Sequence, residues 1–594
     1  MSKETVKNLE ALRNEMRRLG VDAVIIPGTD PHQSEYISGY WKLRDHVSGF
    51  TGSNGTAVVT LDEAGLWTDS RYFLQAAAQL EDSGFVLHKE DVPGEATIEE
   101  WITENLHDGA VLAVDGYLFS ISHAAALEEL CGRNGLRFAS DFDIADRVWT
   151  ADRPERPSGK VFIHDEKYAG ESAPSKIDRV LAEVERLDAE SIFIPSLDEI
   201  AWTLNMRGSD VEFTPVFISY LYLSRDRRAL FIDDVKLDDE VRGYLKSIDV
   251  EVKPYDAVKD FLSGISTHET ILLDPAKVSD TLARALDCMK VYASSPVAML
   301  KAVKNEVQLA GTRKAMERDG AALVRLFMWL EENVGSGKYN ELDVWRKGME
   351  FRGRSELYRG DSFGMIAGYR EHGAIVHYSA TEESASTLAA DGLLLIDSGA
   401  QYLDGTTDIT RTLTLGNPTA DERHDYTLVL KGHLALARAQ FPAGTRGSQL
   451  DALARIYLWE EGMSYLHGTG HGVGHFLGVH EGPQNIRLNE NPTTLQPGMI
   501  TSDEPGVYKA GRYGIRIENL VLTVEGEHSE EFGDFCRFEV LTLFPYDRQL
   551  IDTSMLTPRE IEQIDNYHKQ VYDRLSPYLD DNECRWLADK TRAL

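Results

Sequence analysis

Two aspartates in the last third of the chain are spaced so that they could share a cation. Asp397 lies in the apolar run 393–399, and Asp408 lies in the β-branched run 405–412 that follows a short turn. Both runs favour strands, and together they predict a hairpin centred on residues 402–403. There the two carboxylates oppose each other, with Cβ atoms about 5 Å apart. Carboxylates this close repel unless a proton or a cation lies between them. Two turn-capping aspartates are the alternative.

A second pair of acids has the same arrangement. Glu504 and Glu518 lie symmetrically about Gly511, in a turn-like segment, and this predicts a second hairpin. Glu518 stands next to Ile517 in an otherwise apolar run. A buried, unpaired charge in such a run is costly. A bound metal ion is therefore the simplest explanation of the pair.

Four histidines lie between the two acid pairs: His467, His471, His475 and His480. Glycines separate the first three and oppose a stable helix, so the spacing is not that of a helical HExxH motif. In an extended chain these three side chains share one side, and the glycines permit close backbone approach. A single histidine is usually a core or surface residue, but this concentration indicates a functional segment.

Four carboxylates with an imidazole form an oxygen-rich set that suits hard-to-borderline ions such as Mn²⁺. Two such ions about 3.5–4 Å apart, bridged by carboxylates and a hydroxide, would hydrolyse an amide. A serine hydrolase is not expected, because we expect no GxSxG nucleophile elbow, and the P-loop signature is absent. The four cysteines lie far apart without a CxxC pair, which favours neither a disulfide framework nor a zinc-thiolate site.

The elements that position these residues form an α+β chain with three predicted domains. Residues 1–155 and 156–300 each alternate strand-like and helix-like runs, which is typical of an α/β layer. Residues 192–195 repeat the pattern of residues 25–27, so the second domain is predicted to duplicate the first. Residues 301–594 hold the candidate ligands. Their predicted helices lie at about 306–334, 420–440 and 447–462, with a helical tail from 557.

Charge and hydropathy limit the partners. The chain has 62 Lys and Arg against 97 Asp and Glu, a net charge of -35, which repels phosphate backbones and argues against nucleic-acid binding. No apolar run approaches the ~20 residues that cross a bilayer. The first twenty residues read as a surface helix without the apolar stretch of a signal peptide. We therefore expect no membrane association and a cytoplasmic protein.

The candidate ligands, taken in chain order, resemble the ligand pattern of the "pita-bread" metallopeptidases, a family that includes methionine aminopeptidase, prolidase and aminopeptidase P. The aminopeptidase P branch is the most similar, through residues 397–402, 467–474, 480–483 and 516–519. Residues 30–36 and 67–75 are similar to its first domain, and residues 198–202 and 207–210 to its second. The resemblance implies two tandem creatinase-N-like α/β domains followed by a pita-bread catalytic domain.

The resemblance also implies a role for each ligand. One metal ion would be held by Asp397, Asp408 and Glu518, and the other by Asp408, His471, Glu504 and Glu518. Asp408 and Glu518 would bridge the two ions. Glu504 would also relay a proton between the metal-bound water and the departing proline nitrogen.

Further residues would surround the substrate. His377 matches a substrate-binding histidine, and His467 and His480 match the two that line the proline site and steady the tetrahedral intermediate. Tyr508 and Arg516 fall at supporting positions around the metals, whereas His475 is expected to be structural. Arg71 is a candidate for the far end of the substrate; the alternative is a surface arginine that pairs with Asp69.

The implied enzyme is an aminopeptidase that removes the residue before a penultimate proline, uses two divalent ions such as Mn²⁺, and forms a homodimer. Two alternatives remain open. A prolidase-like dipeptidase uses the same ligands, but a duplicated N-terminal region and residues 67–75 favour the aminopeptidase. A catalytically inactive pita-bread module that binds peptides would be expected to lack ligands, and all five are present here. Methionine aminopeptidase is disfavoured by chain length.

Overall fold

The structure, a computed structural model, describes residues 2–594. It divides into two compact units. The N-terminal unit comprises Met1–Asp165 and Glu171–Leu300, and the C-terminal unit comprises Glu166–Gly170 and Lys301–Leu594. Within the described residues, no helix combines the length and apolar character that a membrane span requires. The predicted three-domain boundaries stay a prediction.

The first part of the N-terminal unit is a mixed sheet with helices. Its strands are β1 (Ala23–Pro27), β2 (Thr56–Thr60), β3 (Ala64–Thr68), β4 (Val86–Lys89), β5 (Val111–Ala113) and β6 (Arg137–Ala139). Its helices are α1 (Ser2–Leu19), α2 (Leu43–Ser48), α3 (Phe73–Gln79), α4 (Ile98–Asn105), α5 (Ile121–Arg133) and α6 (Ala145–Val148). The strand order is β4-β3-β2-β1-β5-β6, and β1 is antiparallel to β2 and parallel to β5.

The second part of this unit repeats the first. Its strands are β7 (Phe162–Ile163), β8 (Ser191–Ile194), β9 (Met206–Arg207), β10 (Ser219–Ser224), β11 (Arg228–Ile232), β12 (Glu251–Lys253), β13 (Thr270–Leu273) and β14 (Met289–Tyr292). Its helices follow α7 (Glu166–Ala169), which belongs to the C-terminal unit, and are α8 (Ala173–Arg186), α9 (Leu197–Thr203), α10 (Asp239–Ser247), α11 (Val258–Ser263) and α12 (Asp280–Arg284).

The two sheets agree strand by strand. The second has the order β12-β11-β10-β8-β13-β14, so β8 takes the central place that β1 has in the first. β8 is antiparallel to β10 and parallel to β13, as β1 is to β2 and β5. Both outer pairs are also parallel in each sheet. The predicted duplication is confirmed.

The C-terminal unit combines long helices with several antiparallel sheets. After α13 (Pro296–Ala302), its helices are α14 (Glu306–Asn333), α15 (Glu341–Arg352), α16 (Ala420–Ala437), α17 (Asp451–Glu460), α18 (Pro558–Leu575) and α19 (Asp581–Lys590). The predicted helices at 306–334, 420–440 and 447–462, and the helical tail, are confirmed. Capping boxes begin α14 and α16, where Asn305 and Thr419 accept backbone N–H bonds that the first turn leaves unpaired.

The strands of this unit carry the candidate ligands. They are β15 (Tyr358–Asp361), β16 (Ile366–Tyr369), β17 (Leu393–Ser398), β18 (Ala400–Tyr402), β19 (Gly405–Thr406), β20 (Ile409–Thr414), β21 (Gln440–Pro442), β22 (Gly470–Gly472), β23 (Glu481–Ile486), β24 (Ile500–Asp503), β25 (Gly506–Lys509), β26 (Tyr513–Arg516), β27 (Asn519–Ser529) and β28 (Gly533–Val540). The largest sheet has the order β21-β28-β27-β24-β22-β23, beside the smaller sheets β16-β17-β20, β15-β18-β19 and β25-β26.

One hydrophobic core fixes these strands against the helices. Leu394 and Ile396 of β17, Ile515 of β26, Val324 of α14 and Val429 of α16 belong to one buried cluster. Burying an aliphatic side chain of this size contributes about 1.5–3 kcal/mol. The strands that bear the acids are therefore held rigidly, which is what a preformed site requires.

Candidate metal centre

Asp397 and Asp408 lie on the same hairpin, as predicted, but they are not directly opposite. Tyr402 pairs with Gly405, so the hairpin turns at residues 403–404, and Asp397 pairs with Thr410. The predicted centre at 402–403 was wrong by one residue, since the pairings on both sides of Gly399 share one register and place Gly399, not Asp397, opposite Asp408. At Gly399 the carbonyl of Thr407 leaves no room for a side chain. Asp408 is two residues from the partner of Asp397, so both acids still share one face.

The second hairpin has the predicted centre. Gly506 pairs with Arg516 across a turn at Gly511, whose φ of 70° is the left-handed conformation that glycine adopts without strain. The pairing of Ile500 with Leu522 continues the same register, so Glu504 falls opposite Glu518. The second acid pair therefore takes the register positions that were predicted, in the short gaps between the paired strands.

His471 lies between the two acid pairs. Its Nε2 is 3.5 Å from Asp408 Oδ2 and 3.5 Å from Glu504 Oε1. One possible ligand atom from each of Asp408, His471 and Glu518 lies within 4.8 Å of the others. The close approach depends on Gly470, where a Cβ atom would come within 1.9 Å of the Ser502 carbonyl oxygen. The glycines of this segment thus allow the imidazole to reach the carboxylates.

The donors within the site satisfy only part of each carboxylate. Arg516 Nη2 donates to Asp397 Oδ2 at 2.7 Å, and Thr410 Oγ1 donates to Glu518 Oε2 at 2.7 Å. Asp397 Oδ1 and Asp408 Oδ1 are buried and accept no hydrogen bond from the described residues. Buried carboxylate oxygens without donors are costly unless a cation neutralises them. The residues present therefore fit divalent cations.

The pKa values report the same crowding of negative charge. Burial, and then the charge of Asp408, raise the pKa of Asp397, against the opposing effect of Arg516. Burial also raises the pKa of Glu504 to about 7, and burial with the neighbouring acids raises the pKa of Glu518 well above its usual range. For His471, burial lowers the pKa, but Asp408 and Glu504 outweigh it and raise the pKa to about 9. Such values are typical of a functional site.

A second layer of side chains holds the ligands in place. Arg516 Nη1 donates to the Tyr508 hydroxyl at 2.7 Å, and that hydroxyl is 2.8 Å from His467 Nε2. Burial raises the pKa of Tyr508 to about 12, so the hydroxyl stays protonated. A continuous hydrogen-bonded chain therefore joins His467 to Asp397 through Tyr508 and Arg516.

Of the other predicted histidines, His480 packs against the ligand His471, and His475 bonds to residues outside the metal centre. The ring of His480 meets the ring of His471 edge-on, with centroids 4.4 Å apart. His475 is buried, with Nδ1 3.4 Å from Thr312 Oγ1 and Nε2 3.2 Å from the Tyr168 carbonyl oxygen. The expectation that His475 shares the side of His467 and His471 was wrong, because the strand ends at Gly472 and His475 lies in a loop that the hydrogen bond from Gly474 N to the Gly478 carbonyl oxygen closes. These contacts suit its predicted structural role.

The remaining predicted residues have different surroundings. His377 follows Val376, whose carbonyl oxygen accepts a bond from Arg516 Nη2 at 3.4 Å, so the segment of His377 adjoins the metal centre. Arg71 belongs to the N-terminal unit, where its Nε and Nη2 donate to the two oxygens of Asp69 at 2.9 and 2.7 Å. This is the pairing that was the alternative for Arg71, and its substrate role stays a prediction.

Sequence reasoning missed two hydroxyl groups in the site. Thr410 Oγ1 donates to Glu518 and accepts from Arg516 Nε. Ser502 Oγ accepts from His471 N at 2.9 Å and donates to Glu504 Oε1 at 3.2 Å. The signal for Thr410 was its place opposite Asp397 in the hairpin, which only the correct register reveals. Ser502 stands two residues before Glu504, on the same face of its strand.

One expectation about the sequence was also wrong. A GxSxG string does occur, at residues 360–364. It does not form a nucleophile elbow, because no helix follows β15 and Ser362 is buried with its hydroxyl donating to the Thr407 carbonyl oxygen at 2.9 Å. The conclusion against a serine hydrolase stands on this geometry.

Comparisons with known proteins agree with the site. Residues 310–525 match metallopeptidase family M24, and residues 534–594 match the C-terminal region of that peptidase family. Residues 8–143 and 152–308 match two models of the creatinase/prolidase N-terminal domain.

Individual relatives match over nearly the whole chain. A probable Xaa-Pro aminopeptidase P of Fusarium vanettenii is 43% identical, with 99% of each chain covered, and aminopeptidase P2 of Arabidopsis thaliana is 40% identical over 97% of this chain and 86% of its own. Among solved structures, the cytosolic X-prolyl aminopeptidase of Caenorhabditis elegans, described with a di-nuclear active site, superposes with a TM-score of 0.95 at 34% identity over both full chains. With this fold, these acid pairs and these full-length relatives, the chain belongs to metallopeptidase family M24, beside its Xaa-Pro aminopeptidase P members.

Proposed function

We propose that this protein is an aminopeptidase that hydrolyses the bond between an N-terminal residue and a penultimate proline. The observation that carries the proposal is the convergence of Asp408, His471 and Glu518 around buried carboxylate oxygens that the described protein groups leave without donors. The names of the full-length relatives supply the substrate class. Peptides with penultimate proline are therefore the proposed substrates.

Two divalent cations, with Mn²⁺ as the proposed native ion, are the proposed cofactors. Asp397, Asp408 and Glu518 would hold one ion, and Asp408, His471, Glu504 and Glu518 the other. When bound, such ions supply Lewis acidity and an activated water for hydrolysis of an amide. Oxygen-rich ligand sets with one imidazole suit ions of this hardness.

The chain's own residues would orient the substrate and move a proton. Glu504 Oε1, which accepts a hydrogen bond from Ser502, would take the proton of the attacking water and deliver it to the departing proline nitrogen. His480, against His471, would donate to the oxygen that becomes negatively charged in the transition state. His377 would bind the substrate, His467 and His480 would line the proline site, and Tyr508 and Arg516 would keep His467 and Asp397 in place.

An assay over peptide length tests the proposal. Xaa-Pro dipeptides, Arg-Pro-Pro and longer Xaa-Pro peptides would be incubated with and without added Mn²⁺, with a Met-Ala peptide as the negative control. We expect release of the first residue from tripeptides and longer substrates, stimulated by the metal. Cleavage restricted to dipeptides would instead support a prolidase-like dipeptidase. Protein purified without chelator that binds no metal and cleaves nothing would support an inactive peptide-binding module.

We further propose that the protein is a cytoplasmic homodimer that pairs through α17. Large apolar side chains on one face of this helix and just beyond it are exposed: Leu453, Ile456, Trp459 and Leu466. Contiguous exposed apolar surface is typical of an interface between subunits, and a second copy offers the same patch by two-fold symmetry. Light scattering of Ile456→Asp should show monomers, whereas Met349→Glu, which changes an exposed methionine of α15, should stay dimeric.

Cytoplasmic residence is supported by the description of the Caenorhabditis elegans relative and is tested by cell fractionation.

A further inference from the structure

His377 lies in a long connection between two strands that has little regular structure of its own. β16 ends at Tyr369 and β17 begins at Leu393, and between them the structure forms one short 3-10 helix, Arg370–Ala374. A connection of this length is costly in conformational entropy unless other contacts restrain it. The position of the His377 imidazole therefore depends on what holds the connection.

One buried carboxylate forms hydrogen bonds with several residues of the connection. Glu341, the first residue of α15, is fully buried. Its Oε1 accepts from Tyr369 N at 2.8 Å and its Oε2 from Ser386 N at 2.7 Å, which ties down both ends of the segment. Its Oε2 also accepts from the Tyr378 hydroxyl at 2.9 Å, and His372 Nδ1 lies 2.9 Å from Oε1. Four donors from one segment thus meet one side chain.

The chemistry of Glu341 suits this task. An ionised carboxylate has acceptor capacity for all four donors, and charge-assisted hydrogen bonds are about twice as strong as neutral ones. The N-terminus of a helix also stabilises a negative charge. His372 stacks on Tyr378, with ring centroids 4.4 Å apart, so the donors are packed against each other as well. A glutamine in its place would present N–H groups to donors and leave at least one of them unpaired.

The residue after His377 is bonded to Glu341, and the residue before it is bonded to the metal centre. Tyr378, which follows His377, is buried against Ile366 and Leu395, beside Tyr508. Val376, which precedes His377, gives its carbonyl oxygen to Arg516. The backbone of His377 is therefore held between an anchor on Glu341 and an anchor in the metal centre.

From this arrangement we infer that Glu341 is a positioning residue that sets the place of the His377 imidazole for the substrate. The inference rests on the proposed function, in which His377 binds the peptide. Glu341 touches neither substrate nor metal in this scheme. Its loss should weaken substrate binding and leave the ligands of the metal centre in place.

The test is a double-mutant cycle of Glu341→Gln with His377→Ala, measured on Arg-Pro-Pro. Alone, Glu341→Gln should raise KM about tenfold, with kcat changed less than about threefold and two metal ions still bound. In the His377→Ala background the same change should raise KM less than about twofold, because the residue through which it acts is gone. Equal effects in both backgrounds, or an unchanged KM in the single variant, would overturn the inference.

A matched control separates positioning from simple loss of stability. Glu317 is also a buried glutamate of the C-terminal unit, and it accepts from Lys314, Arg574 and Tyr578, away from the connection. Glu317→Gln should lower the melting temperature and keep the wild-type KM. If Glu341→Gln fails to fold, Tyr378→Phe removes one donor while keeping the ring and should raise KM about twofold to threefold.

Hydrogen exchange followed by mass spectrometry gives a readout that does not depend on activity. Glu341→Gln should speed exchange over residues 370–388 and leave residues 500–518 unchanged; an unchanged 370–388 segment would contradict the inference. The outcomes also separate the two proposals. Wild-type protein that leaves tripeptides uncut would refute the proposed function and the inference with it. Wild-type cleavage with an unaltered KM in Glu341→Gln would refute the inference alone.

Discussion

Two groups of buried charge in the C-terminal unit contact one hairpin and differ in how many hydrogen bonds their carboxylate oxygens accept. At the turn, Asp319 accepts from Arg352 Nε at 2.9 Å and Nη2 at 3.1 Å, and from the Tyr402 hydroxyl at 3.0 Å. At the base, Asp397 Oδ1 and Asp408 Oδ1 accept nothing from the described residues. In this unit, Asp319 with its donors is part of the scaffold, whereas Asp397 and Asp408, each of which has an oxygen without a donor among the described residues and stands beside further carboxylates, suit a cation.

The two groups are also connected. Arg352 Nη2 donates to Ser398 Oγ at 3.1 Å and Nη1 donates to the Gly399 carbonyl oxygen at 3.2 Å, directly after Asp397. The ion pair of Asp319 and Arg352 thus fixes the end of the strand that carries Asp397. Rigid support of this kind is what holds ligands in a geometry that they would not adopt alone.

The largest effect is expected from Asp408→Asn. Losing a bridging carboxylate should abolish binding of at least one metal ion and lower kcat/KM by ~10³-fold or more, since metal activation supplies several kcal/mol to the transition state. In metal-free protein the same change should alter stability far less than it alters activity, because like-charged neighbours and the His471 imidazole act on Asp408 in opposite directions. Metal analysis, tripeptide turnover and urea unfolding measure the three quantities. Full activity with two bound ions would contradict the metal assignment.

Arg352→Met should have the opposite pattern. It leaves Asp319 buried with only Tyr402 as a donor, and breaking a buried ion pair costs about 3–5 kcal/mol. Urea unfolding of the metal-free protein measures the loss, and Arg352→Lys, which keeps the charge, is the control with a smaller loss. Metal stoichiometry should stay at two in the folded fraction. A loss below about 1 kcal/mol would mean that the cluster is not the scaffold described above.

The two hairpins that carry the acids show how much of the site could be predicted from the sequence. The hairpin of Glu504 and Glu518 was predicted with its centre, because Gly511 marks the turn and the apolar alternation continues on both sides. The hairpin of Asp397 and Asp408 was predicted with its centre one residue off, because its turn residues, Leu403 and Asp404, include no glycine that marks the centre. A turn can be placed accurately from the sequence where a glycine marks it, and less accurately where none does.

Distance along the chain explains the rest. The tandem sheets, the long helices and the convergence of acids could be predicted from periodicity, repetition and spacing. The bond of Glu341 to Ser386, 45 residues away, could not, since a helix-starting glutamate normally faces solvent. Likewise, the loop of residues 474–478, which directs His475 to Thr312 and Tyr168, has no signal in a glycine-rich segment.

His480→Ala tests a histidine that lies beside the proposed metal ligands. His480 packs against the ligand His471 without belonging to the proposed ligands. Losing one donor to a developing oxyanion typically costs about 10²–10³-fold in kcat. We therefore expect that loss with two metal ions still bound. His528→Ala, at an exposed position of β27, is the control and should behave as wild type. A fully active His480→Ala would refute the role given to this histidine.

The smallest expected effect concerns His372, a satisfied partner of Glu341. The hydrogen bond to Glu341 raises the pKa of His372 above its ordinary 6.5, against the opposing effect of burial. A group whose pKa is higher in the folded state stabilises the fold fully below the unfolded pKa and loses that contribution as pH rises through the folded value. Wild type should therefore exceed His372→Gln in unfolding free energy by more at pH 5.5 than at pH 8.5. Because the ring is partly exposed and screened by water, the difference should stay below about 1 kcal/mol. Equal differences at both pH values would show that His372 acts as a neutral donor to Glu341.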